Sequence, residues 1–567
     1  MPLESYGVEA LPWAVGIVVN NGTLMPGESQ VFNAYNQPSI NGDGLVVFRA
    51  RGKGGEGQGQ PPAGIYARQL PALPFGPLSP SLVAARGSLV PQPNNQDATF
   101  IEFPSFPRLD AASSALAFRG QSNPIWRVSP DGELLGTSGI YSTLDGAVGT
   151  GVAQLGALPD FAFYGVPGTS QRFDQFPGAP SPSGDRVVFK GNWTTASGDS
   201  ATGVYVRDVR AQAGQAPVLR IADTRSLIPG DPLGRHFGST APPSAAGHLA
   251  AFLGVDVEEA PTVGGLYLSH LDGDPEALTP LVGIGGLVDT VGPGGLRQIG
   301  EALSLQGRSV AYWGAWGEET FQQQVRCSSD GNQALLAYCR EQSPNGDGVY
   351  LMQVPVHQGL FITDVDSLAT RLVAQTGDQF DTFLNWNYSG RPPGVGESEE
   401  PDSELELARW RSSAFVALED RWLAFKGEQL APVADAVMAQ VQDGIYLADL
   451  QQRDAALLTL LETGQDGGLL DPQASGLAIT ALGLERDGFR LGRLAFVASM
   501  ANEESSWAGI YVAAAPQTSV PGPLPLIGQS IAFAWARRLR RRQIRMAAAA
   551  EPGPGCRARR AGPVPGS

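Results

Sequence analysis

Chemistry-bearing residues are scarce in this chain. Of 567 residues only four are histidine (His236, His248, His270 and His357), and no two stand at a metal-ligand spacing such as H-x3-H. No G-x-S-x-G nucleophile elbow occurs, and neither a P-loop nor a G-x-G-x-x-G opens a helix after a strand. Lysine is almost missing: Lys53, Lys190 and Lys426 are the only three. Three cysteines rule out a disulfide-dense scaffold and a multi-ligand thiolate metal site. Cys327 and Cys339 flank a polar Ser-Ser-Asp-Gly-Asn turn; the pair suits a disulfide closing a surface loop, with free thiols as the alternative. No basic n-region followed by an apolar h-region opens the chain, so a signal peptide is not expected within it.

What is abundant is glycine (72), proline (45) and acid. Nine arginines and one acid, Glu551, lie at or after Arg537, leaving 30 basic and 55 acidic residues ahead of it and a charge of about −25 on the body. That balance disfavours nucleic acid and anionic lipid as partners of the body. An acidic run, Glu397 to Glu406, reads as an exposed insertion. Neither it nor Asn345-Gly346-Asp347 matches a calcium loop, so no metal or cofactor is expected. The glycine-rich Gly52-Lys53-Gly54-Gly55 falls between two strands and reads as a blade loop rather than a phosphate cradle.

One pattern recurs seven times. Its first half is an apolar strand ending in an aromatic, at Leu45–Phe48, Leu116–Phe118, Val187–Phe189, Leu249–Phe252, Val310–Tyr312, Leu423–Phe425 and Leu494–Phe496. Its second half is Gly-Ile/Val/Leu-Tyr, ending at Tyr66, Tyr141, Tyr205, Tyr267, Tyr350, Tyr446 and Tyr511. Phe48, Phe118, Phe189 and Phe252 are 70, 71 and 63 residues apart. Short β-branched and aromatic runs between glycine turns read as antiparallel strands, about four to a unit. Seven such sheets, each unable to bury both faces alone, predict an all-β, seven-bladed β-propeller over residues 1–515, with insertions at 320–345 and 385–412. The last unit lacks a fourth strand. Gly16–Gly27 aligns with the fourth-strand segment Leu219–Gly230 through Pro-Gly, so a segment within 15–30, with residues 15–19 as its strand, is expected to complete the seventh blade. The units resemble TolB-like propeller repeats, and resemble more closely an uncharacterised group of exported bacterial proteins with Phe-x-Gly and Gly-Ile-Tyr repeats.

After the last unit, residues 516–545 hold a proline-rich breaker, an apolar run of roughly 17 residues counted from Val520 and an arginine cluster, the order that stops a chain at a membrane with its basic end on the cytoplasmic side. A short hydrophobic helix is expected from Leu526, with Trp535 at the interface. Val520, Pro521, Gly522, Pro523, Leu524, Pro525 and Leu526, with Arg537, Arg538, Arg540, Arg541 and Arg542, resemble the cyanobacterial-type PEP-CTERM sorting signal. That resemblance implies recognition by an exosortase-type enzyme, transient membrane anchoring and delivery to the cell surface or matrix. Residues 546–567 depart from the signal, which ordinarily ends near the arginines, and read as a disordered tail.

Two functional readings follow. One is an exported, monomeric propeller that binds a surface ligand without catalysis. The other is an exported hydrolase or lyase acting on polysaccharide or peptide at the central mouth, where Asp256, Glu258 and Glu259 would meet acids of other units. Trp193, Trp313 and Trp316, near loop tips, suit packing between blades, or stacking on sugars if exposed.

Overall fold

The computed structural model describes residues 12–516 except 54–60, 72–78, 92–97, 124–125, 129–133, 137–138, 145–146, 155–164, 211–216, 259–260, 287, 289–290, 292–294, 327–342, 344, 346–348, 387–411, 414–415, 433–438 and 453–455. The chain divides into two units, Met1–Ala515 and Pro516–Ser567. The expected C-terminal helix, the sorting motif, Cys327 and Cys339 all lie outside the described residues. Among the described residues no helix is long and apolar enough to cross a membrane.

The first unit is a seven-bladed β-propeller. Each blade is an antiparallel meander whose second and third strands carry the two sequence motifs, as in the third blade, where Arg186–Thr194 pairs with Ser200–Asp208. The innermost strand is broken in two in most blades, as at Phe32–Tyr35 and Ser39–Ile40, with Pro38 between them. The short inner segments touch their neighbours in succession around the axis: Ser39–Ile40, Arg108–Leu109, Ser181–Ser183, Ser244–Ala246, Ser304–Gln306, Val416–Leu418. The ring returns to Ser39–Ile40 through Phe489–Arg490.

The repeat motifs record how a blade packs. In five blades a phenylalanine in or just ahead of the innermost strand segment stands edge-on to the third-strand tyrosine, 4.7–5.2 Å between ring centroids, as for Phe173 and Tyr205. The second-strand phenylalanine lies about 6 Å from the same tyrosine and completes the cluster. The glycine of Phe-x-Gly leaves room for the inner ring: a Cβ on Gly191 would lie 2.6 Å from Phe173. The glycine of Gly-Ile-Tyr leaves room for the outer strand: a Cβ on Gly203 would lie 2.6 Å from both the Tyr205 hydroxyl and Asp223. In every blade the outer strand carries one extra residue opposite this tyrosine or its fifth-blade counterpart, a bulge that turns it around the rings.

The fifth blade corrects one assignment. Tyr312 is opposite Phe361, so its third-strand motif is Gly359-Leu360-Phe361. Tyr350 is instead opposite Val325, out along a hairpin arm formed by Ser309–Arg326 and Val349–Asp364. Both strands run on past the blade into the arm, and the arm's Gly-Val-Tyr matches the motif by composition alone.

The seventh blade closes as expected. Ala14–Asn20 pairs antiparallel with the last strand, Ser506–Ala514, with Ala14 opposite Ala514 and Asn20 opposite Gly509. The closure removes the open edges that a linear array of sheets would leave.

Candidate functional site at the propeller centre

The axis is where a propeller brings all its blades together, and its floor is built from one register position repeated around the ring. Ser39, Ser181, Ser244 and Ser304 occupy it in the first, third, fourth and fifth blades. Each hydroxyl accepts a hydrogen bond from an inner-strand backbone N–H of the next blade. The donors are Leu109 to Ser39, Ala245 to Ser181 and Leu305 to Ser244, each 3.0 Å, and Leu418 to Ser304 at 3.1 Å. The second blade has Arg108 there, and the facing residue of the third blade is Pro182, which has no N–H to donate.

Arg108 therefore reaches across the axis. It donates to the carbonyls of Ala179 (3.2 Å) and Pro243 (3.3 Å) and to Glu485 Oε1 (2.7 Å), while its Nε lies 3.6 Å from Asp487 Oδ2. The two acids belong to Glu485-Arg486-Asp487-Gly488-Phe489-Arg490, a seventh-blade segment that crosses the centre. Arg486 donates to Pro242 O (3.4 Å) and Pro243 O (3.3 Å), and its own carbonyl accepts from the Ser304 hydroxyl (2.9 Å). Arg490 donates to Leu418 O (3.4 Å), Phe489 O (2.6 Å) and Asp487 Oδ1 (3.0 Å). Ile40 N–H donates to Asp487 O at 3.0 Å. Inner strands have no neighbour on the axial side, so carbonyls facing the axis lack a ladder partner; the three arginines supply it. Burial pushes the Arg486 guanidinium down to about 10, with Arg108 adding repulsion and Glu485 and Asp487 opposing it, which leaves it charged at neutral pH.

The five charged groups are 1–9 % exposed. Both carboxylates are held by arginine, so neither is placed to hand a proton to a substrate or to receive one. Among the described residues the centre is a plug of ion pairs.

The acids expected at the mouth are elsewhere occupied. Asp256 sits 3.3 Å from Arg235 and accepts from Thr262 and from the N–H groups of Thr262 and Val263. Burial raises its pKa, but the hydrogen bonds from Thr262 and the backbone outweigh it and hold the carboxyl below its usual range, the wrong direction for a general acid. Glu258 accepts from the Ser239 hydroxyl at 2.5 Å, and Glu259 lies outside the described residues. Trp193 and Trp313 are buried and donate to Tyr205 Oη and Gln358 Oε1, each 3.1 Å, which makes them packing residues. Trp316 is half-buried at the root of the hairpin arm and stacks on His357, 6.1 Å between centroids. Among the described residues no cluster of His, Cys, Asp or Glu could hold a metal ion. Lys53 follows the strand Leu45–Gly52, and Gly54 and Gly55 lie outside the described residues.

The plug was the feature that motif reading missed. Its signal is present: four charged residues within Glu485–Arg490, where the first, third and fourth units read Pro-Ser.

No protein-family model matches the chain, and no curated protein matches it. Among solved structures, Trypanosoma rangeli sialidase aligns at 8% identity and a TM-score of 0.30, over 90% of this chain and 58% of that one. An α-L-arabinanase from Penicillium chrysogenum aligns at 11% identity and 0.28, over 77% and 98%. The β-propeller domain of the Trilobed protease from Pyrococcus furiosus aligns at 9% and 0.24, over 61% and 82%. Likenesses of this size carry no chemistry across to this chain.

Proposed function

We propose that the chain is an exported protein, sorted through its C-terminal segment to the cell surface or matrix, whose propeller binds a surface ligand and performs no catalysis. The plug is the observation that carries the non-catalytic reading: the acids brought to the axis are spent on arginine. The export reading rests on the Val-Pro-Gly-Pro-Leu-Pro-Leu segment, the apolar run and the arginine cluster after it, and the acidic body agrees with it. Cell fractionation of the gene expressed in its source cell, with and without residues 520–545, tests delivery. The full chain is expected in the surface or matrix fraction and the truncated chain elsewhere; a full chain retained in the cytoplasm overturns the reading. Incubating the purified protein with surface polysaccharide tests the other half. Retention without release of reducing ends is expected, whereas release by the purified protein that is lost on Glu485→Gln while circular dichroism shows the fold retained would establish a hydrolase.

A further inference from the structure

The closing strand is fastened to more than its own blade. At one end Trp13, 3% exposed, stands edge-on to Trp422 of the sixth blade, 5.4 Å between centroids, and packs on Phe489 at 5.9 Å. In the middle, the extra residue Val18 takes two carbonyls off the regular ladder. Arg68 of the first blade, itself buried, donates to Val18 O and, at 3.1 Å, to Ile17 O. At the far end Asn20 donates at 2.7 Å to Asp471, which also receives the Trp507 indole N–H at 2.9 Å.

Phe489 is part of the plug. Its carbonyl accepts from Arg490, and it sits two residues from Asp487. Trp13, Leu484 and Phe489 belong to one buried apolar cluster, so the indole backs the segment that crosses the axis. Without Trp13 that cluster loses its largest side chain beside Phe489, and the apolar support of the plug is cut on one side.

We propose that residues 13–20 are a strap coupled to the plug. Docked, the strap holds Glu485–Arg490 across the axis; released, it frees that segment from the axis. Because Ala14 faces Ala514, a pull on the chain ahead of Trp13 or beyond Ala515 acts on the same seam, so an attached surface or partner has a lever on the centre.

Hydrogen exchange on the full chain tests this. Trp13→Ala and Arg68→Met loosen the strap at different points without altering a plug residue. In both, amides of 484–490 are expected to exchange at least tenfold faster, while the third-blade strands Arg186–Thr194 and Ser200–Asp208 keep their protection. Faster exchange confined to 13–20 and 506–514 would overturn the coupling. Should either variant lose the whole fold, the unmodified chain decides in sub-denaturing urea. The strap and the plug are expected to open with one free energy and one urea dependence; two separate openings reject the proposal.

Discussion

Arg108 shows how one residue can hold a ring of blades. It replaces a serine where the facing residue, Pro182, asks for no hydrogen bond, and it spends its donors on the third and fourth blades and on Glu485 of the seventh. A buried ion pair adds little net stability over an apolar pair, but removing one partner leaves the other charge stranded. Arg108→Met is therefore expected to cost about 3–5 kcal/mol. Adding Glu485→Met should return part of that loss, since the stranded carboxylate is then gone: the Ala179 carbonyl loses its donor, but Pro243 O keeps Arg486 and Asp487 keeps Arg490. Urea midpoints of the two single variants and the double variant read the coupling directly. A double variant as unstable as the sum of the singles would mean that the pair does not interact.

At the scale of the strand, the tyrosines carry the energetics. Burial pushes Tyr66 and Tyr267 up to about 12, and raises Tyr205, Tyr446 and Tyr511 further, with the carboxylates Asp223, Glu462 and Asp471 adding to the effect. The folded pKa lies above the unfolded value of 10.0, so the stability these groups contribute is complete below that pH. It is lost as pH rises through the folded values, because the unfolded chain gives up protons that the native blades retain. Alkaline unfolding should begin above about pH 10, with tyrosinate absorbance and loss of β-sheet circular dichroism moving together. Tyrosinate formation well ahead of unfolding would place these hydroxyls in water. The same strands explain what could be read from the sequence. Phe-x-Gly and Gly-Ile-Tyr were legible because each glycine answers a local steric demand from a ring or a carbonyl within its own blade, and that demand repeats. The fourth strand of the seventh blade was legible because Gly16–Gly27 and Leu219–Gly230 meet the same bulge. Tyr350 misled because local composition does not see register; only the pairing of Tyr312 with Phe361 separates a blade from an arm. The plug escaped notice because its partners, Arg108 and Glu485, are 377 positions apart and nothing in either local sequence requires the other.

For the molecule as a whole, closure and charge pull in different directions. The ring is complete by Ala515, whose N–H makes its last bond to Gly492 O at 2.7 Å. Ladder pairing ends at Ala514, so no strand of the propeller is lost by cutting after Ala515. The full chain carries −17, and removing residues 516–567 takes away nine arginines and Glu551, which leaves the body at about −25. The trimmed body should thus keep its fold but feel its own repulsion more strongly. Its melting temperature is expected to fall below that of the full chain at about 0.01 M salt, where charges interact over ~30 Å, and to converge on it at about 0.15 M, where the range shortens to ~8 Å. Thermal melts of both forms across that series make the comparison. A deficit that persists at high salt would show that the tail packs on the body, and the Arg-rich segment would then have a structural task beyond the one read from its sequence.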